Sequence, residues 1–386
     1  MTGKTKILFV NDEMEMGGVA RVLNTLMAAL PEDRYEIDLL VLDKKGMLLE
    51  EVPEKVNVLE GTPFFNAVDE SLSELFHGEK RKKLFSKLRL LFYMKTGLIK
   101  GKIVSERKKM LSKQYDVEIA AKEGFCTIFT AYGDSKRKIN WVLTDYSVKN
   151  YSSNHMHLVR DALKHIDLNI ADSEKALIAY ETVFRVQNGM TIHNLMDLSV
   201  LKKAEKTEDI QVKDSDTPNI INVARFHPQK AVDRLLRASH AALEAGCPHT
   251  LYLVGGGELE QDLRALVQEL HMDNVVFMGY RQNPYADIRK CDLFVLSSLY
   301  EGFATVNSES LIVGTPVLTT DVSGCEEQIT DPDYGWIVKN DQEALNEGLI
   351  NALKDPQRLK EMKEVLRSYR YDNQAVLQKF MDAFES

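Results

Sequence analysis

Residues 292–321 read DLFVLSSLYEGFATVNSESLIVGTPVLTTD. The run 293–296 is wholly apolar, as in a strand covered on both faces. A polar loop, 297–302, follows it. Residues 305–313 have helical character and are closed by Gly314, with Pro316 beyond, which are helix-stop signals. Val317 and Leu318 open a second apolar run. Strand, loop, helix and strand in that order make a βαβ unit. Glu301 lies in its loop and Glu309 within its helix. Both can face the crevice outside the carboxyl ends of the strands, where open α/β sheets bind ligands.

The same alternation runs outward in both directions. Upstream, 219–223 is a strand, 231–243 has helical spacing, and 251–254 is a strand ending in Gly255, Gly256 and Gly257. The strand 275–278 follows, then Gly279. Near the start, 7–10 is a strand, NDEMEMGG is a turn, and 19–30 is an amphipathic helix stopped by Pro31. Further strands are expected at 37–42, 56–59, 117–121, 139–143, 168–171 and 190–192. Residues 201–217 are charged and almost free of large apolar side chains, and read as an interdomain linker or surface loop. Strands alternating with helices in both halves predict two doubly wound α/β domains, and 386 residues suit two domains.

Composition bounds the class. With 44% hydrophobic and 28% charged residues the chain is ordinary globular protein. A net charge of −9 argues against nucleic-acid binding by the molecule as a whole. The four cysteines show neither CxxC nor metal spacing, so reduced thiols in a reducing compartment are expected. The first apolar run is far too short for a signal peptide or a spanning helix, which points to a cytoplasmic protein. One segment departs from the average. Residues 80–113 carry thirteen lysines and arginines against the single acid Glu106, interleaved with leucines, Phe85, Phe92 and Tyr93. That pattern suits an anionic membrane surface; a solvated helical hairpin packed on its domain fits it as well.

Polar groups with chemical use collect just after strands. Arg225 and Lys230 flank a short loop and can neutralise a diphosphate, arginine by its fork and lysine as a point charge. Gly255–Gly257 offers backbone amides and close approach. Glu301 and Glu309 can accept hydrogen bonds from sugar or ribose hydroxyls, and the helix opening near Thr305 adds free N–H groups. Gly324 and Glu327 follow the next strand. In the first half, Gly17 and Gly18 can bring backbone to a ligand or can simply make a tight turn. Asp145, in WVLTDYS, can contact a substrate hydroxyl or cap the following helix. Each feature alone also has an ordinary structural use; their coincidence at successive strand ends favours a site.

The stretches VARFHPQKAVDRLLRA, LYLVGGGELEQDL, FMGY and EGFATVNSE resemble the retaining glycosyltransferases of family 4, and Glu301 and Glu309 have that family's E-x7-E spacing. The resemblance covers nearly the whole chain and is most specific in the second half. It implies the GT-B architecture, two Rossmann-like doubly wound domains facing a central cleft. Residues 1–198 would form an acceptor-binding domain, 199–370 a nucleotide-sugar-binding domain, and 371–386 a helix packing back on the first. It implies that Arg225 and Lys230 grip the donor diphosphate, that Glu309 binds ribose, and that Glu301 sits by the transferred sugar with Gly302, Phe303, Ala304 and Thr305 nearby. Gly256 would lie in the glycine loop, Tyr280 and Arg281 would hold the base, and Gly17 and Gly18 would approach the diphosphate from across the cleft. No metal and no cofactor is implied. The donor is a nucleotide diphosphate sugar, with UDP favoured, and the acceptor a saccharide or lipid-linked saccharide in cell-surface polysaccharide synthesis. One departure is Leu143, where many members carry histidine; His155, His157 or His193 could take its place in space, and Asp145 is then the acceptor-side polar group. The departure keeps open a non-catalytic binding or chaperone subunit. A nucleotide-sugar 2-epimerase is the other alternative, and the E-x7-E pair argues against it.

Overall fold

In a computed structural model, residues 3–15, 17–68, 70, 75, 83–148, 153–206, 208 and 210–386 are described. The chain divides into two compact units, one of residues 1–195 with 373–386 and one of residues 196–372.

The first unit is built on seven strands: β1 (Thr5–Asn11), β2 (Tyr35–Val41), β3 (Asn57–Glu60), β4 (Val117–Ala120), β5 (Arg137–Val142), β6 (Leu168–Ala171) and β7 (Gly189–Thr191). They pair in the order β3-β2-β1-β4-β5-β6-β7, all in parallel. Parallel neighbours need crossovers, and these are α1 (Gly18–Ala29), α2 (Leu84–Lys95), α3 (Ile99–Met110), α4 (Phe125–Ala131), α5 (Ser153–Leu163) and α6 (Glu174–Phe184). The strands are apolar because both faces are covered: Ile7, Leu8, Phe9 and Val10 of β1 are all fully buried. The basic segment forms α2 and α3. Leu90, Met94, Ile99 and Ile103 enter the core, while the preceding Lys80, Arg81 and Lys82 lie outside the described residues.

The second unit repeats the plan with α7 (Val200–Ala204), β8 (Asn219–Val223), α8 (Val232–Glu244), β9 (Thr250–Val254), α9 (Glu260–Glu269), β10 (Val275–Gly279), α10 (Tyr285–Lys290), β11 (Leu293–Leu296), α11 (Thr305–Val313), β12 (Val317–Thr320), α12 (Cys325–Gln328), β13 (Gly335–Val338), α13 (Gln342–Lys354) and α14 (Pro356–Leu366). Its six strands are parallel in the order β10-β9-β8-β11-β12-β13. The last helix, α15 (Asn373–Glu385), belongs to the first unit, where Phe380 packs edge-on against Trp141 at 5.2 Å and Phe384 against Phe9 at 6.4 Å. Both sheets reverse their winding beside the first strand, between β1 and β4 and between β8 and β11. These switch points are where doubly wound sheets open a crevice.

Residues 201–217 are not a free linker. Val200, Ala204 and Val212 are buried in the second core, and the Asp287 carboxylate accepts hydrogen bonds from the amides of Gln211 (2.7 Å) and Val212 (3.2 Å). A few small apolar side chains and one buried carboxylate tie down a stretch whose composition looks loose.

Candidate active site

In the second unit, the switch point brings two loops together. The loop after β8 runs from Ala224 to Lys230 and the loop after β11 from Ser297 to Ala304. They are joined by backbone and side chains alike. The Leu299 amide donates to the Gln229 carbonyl (2.8 Å), Gln229 Nε2 donates to the Tyr300 carbonyl (2.9 Å), and Ser297 Oγ donates to the Lys230 carbonyl (3.0 Å). Against this frame the Lys230 ammonium meets Glu301 Oε1 at 2.5 Å, and Ser298 Oγ donates to the same oxygen at 2.6 Å. Glu301 is buried and Lys230 partly buried, so the pair works in a medium less screening than water. Arg225 differs: it is exposed, and its guanidinium has no hydrogen bond or ion pair among the described residues, although its carbonyl accepts from the His227 amide at 2.9 Å. The site thus holds one neutralised and one unneutralised cation.

Ala231 closes the loop in left-handed backbone, φ 44°, ψ 47°, although it is not glycine. Such a residue stores strain of order 1 kcal/mol and needs its surroundings to hold it. Here the hooks from Gln229 and Ser297 do so, and they fix the direction from which Lys230 enters.

The glycines separate into two kinds. A Cβ on Gly255, at φ +133°, would lie 1.9 Å from the Ala224 carbonyl oxygen, and one on Gly257 would lie 2.5 Å from that of Phe226. Both are required for the β8 and β9 loops to lie side by side. Gly256 is under no such demand, its nearest neighbour being Glu260 Oε2 at 3.5 Å. Gly256 is therefore the position where absence of a side chain leaves room. Gly324, at φ +81°, lets Phe303 and the Gly302 carbonyl pack against it.

The α11 helix begins after Ala304 with no side-chain cap, and Thr305 and Val306 open it. Its uncapped amides and dipole favour an anion. Gln328 fixes this end by donating to the Ala304 carbonyl (2.8 Å) and to Ser308 Oγ (2.9 Å). Glu309 is half-buried one turn further on. Tyr280 is exposed just past β10, while Arg281 is turned inward, with Nη2 3.2 Å from Asp287 Oδ2. The charge of Arg281 therefore holds α10 to its domain, and Tyr280 is the group left at the surface.

In the first unit, Gly17 and Gly18 form the opening of α1. Gly17 is in extended backbone, and nothing lies within 4 Å of a Cβ on Gly18. Neither conformation nor crowding demands glycine at Gly18, so the backbone there is open to approach. Asp145 is buried and accepts a hydrogen bond from the Ser147 amide at 2.8 Å, so it orders its own turn. The Leu143 amide donates to Glu123 Oε2 at 3.1 Å. A Cβ on Gly124 would sit 3.5 Å from the His155 ring, which places that imidazole beside the start of α4, whereas His157 lies exposed beside Asp161.

Sequence reasoning passed over the groups at this second switch point. Lys122 follows β4 and meets Asp12, which follows β1, at 2.6 Å; Glu123 is its neighbour and is buried. Although burial works against its charge, Asp12 holds the Lys122 ammonium above the usual lysine range. The strand-end rule that singles out Lys230 and Glu301 as candidates covers these residues too. Among the described residues no group of three or more His, Cys, Asp or Glu side chains converges as a metal site.

Residues 203–369 match the family described as glycosyl transferases group 1. The chain is 28% identical over 351 residues to a Campylobacter jejuni N-acetylgalactosamine-N,N'-diacetylbacillosaminyl-diphospho-undecaprenol 4-alpha-N-acetylgalactosaminyltransferase, covering 88% of this chain and 87% of that protein. It is 27% identical over 235 residues to the N-acetyl-alpha-D-glucosaminyl L-malate synthase of Bacillus anthracis, covering 59% of this chain and 61% of that one. Among solved structures, Anabaena HepE in complex with UDP-glucose superposes with a TM-score of 0.72 at 19% identity, over 98% of this chain and 99% of that one. The fold is thus the GT-B pair of Rossmann-like domains, and the likenesses support a glycosyltransferase.

Proposed function

We propose that the chain transfers a sugar from a nucleotide diphosphate donor to an acceptor hydroxyl, with retention at the anomeric carbon and without a metal. The observation that carries this reading is the convergence of Lys230, Glu301 and Arg225 beside the uncapped start of α11. In the reaction the acceptor oxygen bonds to the anomeric carbon as that carbon's bond to the diphosphate breaks. The electron pair leaves with the diphosphate, and the hydroxyl proton ends on it. Charge therefore grows on the diphosphate, where Arg225, Lys230 and the helix amides stabilise it without reorganising. Glu301 anchors Lys230 and presents a carboxylate to sugar hydroxyls; Glu309 serves the ribose, Tyr280 the base, and Gly256, Gly302, Phe303, Ala304 and Thr305 line the donor. Arg281, held by Asp287, positions the loop that carries Tyr280. On the first domain, Asp145 belongs to the acceptor half.

UDP is the favoured nucleotide, in keeping with the UDP-glucose bound to HepE. A lipid-linked saccharide is the favoured acceptor, in keeping with the diphospho-undecaprenol named for the Campylobacter jejuni relative. Such an acceptor belongs to cell-surface polysaccharide assembly and places the enzyme on the cytoplasmic side of a membrane. The test is incubation of the purified protein with a panel of radiolabelled nucleotide sugars, with and without lipid-linked saccharides, following nucleotide release and label transfer. Transfer from one donor is expected. Absence of hydrolysis, transfer and nucleotide binding together would overturn the enzyme and leave a binding subunit.

A further inference from the structure

The start of α11 is held in place without a cap on its first amides. A helix start is ordinarily fixed by the N-cap side chain, whose oxygen accepts from one of the first backbone N–H groups. Ala304 occupies that position and has no such oxygen. The amides of Thr305 and Val306 have no hydrogen bond among the described residues. The turn is fixed instead by a side chain that follows the next strand. Gln328, the last residue of α12, donates through Nε2 to the Ala304 carbonyl at 2.8 Å and to Ser308 Oγ at 2.9 Å, and its Oε1 accepts from Asn307 Nδ2 at 3.2 Å. One amide group thus grips three residues at the head of the helix and occupies no backbone N–H.

Gln328 is itself held at both ends. It is 4% exposed, and Asn307 and Ser308 are fully buried. Gly324, which opens α12, lies against the loop that precedes α11: a Cβ there would be 2.8 Å from the Phe303 ring and 3.1 Å from the Gly302 carbonyl oxygen. The Gln328 backbone amide donates to the Gly324 carbonyl at 3.1 Å, which closes α12 into a single turn. That turn therefore abuts 302–303 with its start and grips 304–308 with its end. An amide is costlier to bury than an aliphatic side chain unless its hydrogen bonds are made. Val322, Cys325 and Ile329 beside it in the chain all pack in the apolar core. Packing alone does not call for glutamine at this position; the three bonds to the head of α11 do.

We propose that Gln328 is a positioning residue for the donor diphosphate: by gripping the head of α11 through a carbonyl and two side chains, it holds the Thr305 and Val306 amides fixed and unfilled for phosphate oxygens. This role rests on the seat proposed above for the diphosphate, and Gln328 acts there through α11 rather than by touching nucleotide or sugar. Donors fixed beforehand need not reorganise when negative charge arrives, whereas a turn free to swing must be ordered on binding. The effect falls on the phosphates more than on the nucleoside. Only the head of α11 depends on Gln328, while Leu311, Ile312 and Val313 anchor the rest of the helix in the core.

The test uses the full chain with UDP, GDP and ADP in titration calorimetry, and with the corresponding nucleosides, which lack phosphate, in ligand-observed NMR. Gln328→Met keeps the packing of the stem and loses all three hydrogen bonds. It is expected to weaken binding of the preferred nucleoside diphosphate by about tenfold and of its nucleoside by less than about twofold. Ser308→Ala removes one partner only and should weaken the diphosphate by about threefold, which gives a readout even if Gln328→Met does not fold. Without nucleotide, hydrogen exchange of a peptide spanning 304–309 should quicken in Gln328→Met. The proposal alone is overturned if wild type binds a nucleoside diphosphate and both variants bind it equally well. It is also overturned if nucleoside affinity falls as far as that of the diphosphate, since Gln328 would then only stabilise its domain. If wild type binds none of the three diphosphates, the donor reading is overturned and the role of Gln328 with it.

Discussion

Arg107 tests whether the basic segment is a surface feature or a buried counterion. From α3 it reaches under Phe129, over whose ring its guanidinium lies at 4.8 Å, to the central strand β4. There Nη1 and Nη2 donate to the two oxygens of Glu118 at 2.6 and 2.7 Å, and Ser135 Oγ donates to Oε2 at 3.0 Å. Both side chains are nearly inaccessible, 7% and 0% exposed. Arg107→Met keeps most of the stem's packing but leaves a carboxylate in the core with one hydroxyl donor. Breaking one side of a buried pair costs about 3–5 kcal/mol. At about 2–4 °C per kcal/mol for a domain near this size, the first transition should fall by roughly 10 °C. The assay is scanning calorimetry, with the urea midpoint as a second readout. Lys108→Met, one residue away and exposed, is the control and should stay within about 0.5 kcal/mol of wild type. Replacing both partners, Arg107→Met with Glu118→Leu, should recover much of the loss, because a packed apolar pair carries no desolvation cost. A melting temperature for Arg107→Met equal to that of Lys108→Met, or a double variant worse than the sum of its parts, would refute the reasoning.

Three further outcomes follow from the geometry. Lys230→Ala should weaken nucleotide-diphosphate binding by about ten- to a hundredfold, the worth of one charge-assisted contact, in titration calorimetry with UDP; unchanged affinity would remove Lys230 from the donor site. Glu123→Gln should raise the KM for the acceptor while leaving UDP affinity as it was, and the opposite pattern would move Glu123 to the donor side. Burial pushes the His249 imidazole below its ordinary range, even though Nδ1 lies 2.8 Å from the Cys247 carbonyl. Its contribution is therefore full above about pH 6.5 and is lost as pH falls toward the folded value, because the unfolded chain takes up the proton first. The stability gap between wild type and His249→Phe should narrow from pH 7 to pH 5 in urea titrations; a constant gap would refute the assignment.

The fold was largely legible because each buried parallel strand is an uninterrupted apolar run. Ile7 to Val10 and Leu293 to Leu296 need no partner information to be recognised. The stretch 201–217 was misleading because Val200, Ala204 and Val212 are too few and too small to show a pattern, although burial decides their place. The basic segment was misleading in a different way. Its excess of lysine and arginine is visible, but Glu118 and Asp38, which consume part of it, lie on strands distant in the chain. A charge count cannot see such pairing. Lys230 and Glu301 were legible as candidates because each lies in the loop that follows a strand. Gln229 and Ser298, which orient them, were not, since their partners are carbonyls and carboxylates fixed only by the fold.

The two switch points have the same construction with opposite charge balance. In each, a lysine from one central loop meets a carboxylate from the other, Lys122 with Asp12 at 2.6 Å and Lys230 with Glu301 at 2.5 Å. A matched ion pair cancels itself, so the groups beside it set the field. Beside Lys230 stands Arg225, exposed and without a carboxylate partner, and the α11 amides add to the positive side. Beside Lys122 stands Glu123, and the neighbouring backbone begins with glycines. The first of these crevices favours the negative diphosphate of a donor more than the second does. A neutral hydroxyl-bearing saccharide is suited to the second, where carboxylate and amide groups can hydrogen-bond it without a charge to repel. Local charge thus supports the proposed placing of donor and acceptor on different domains, and this argument does not use the histidine that Leu143 replaces.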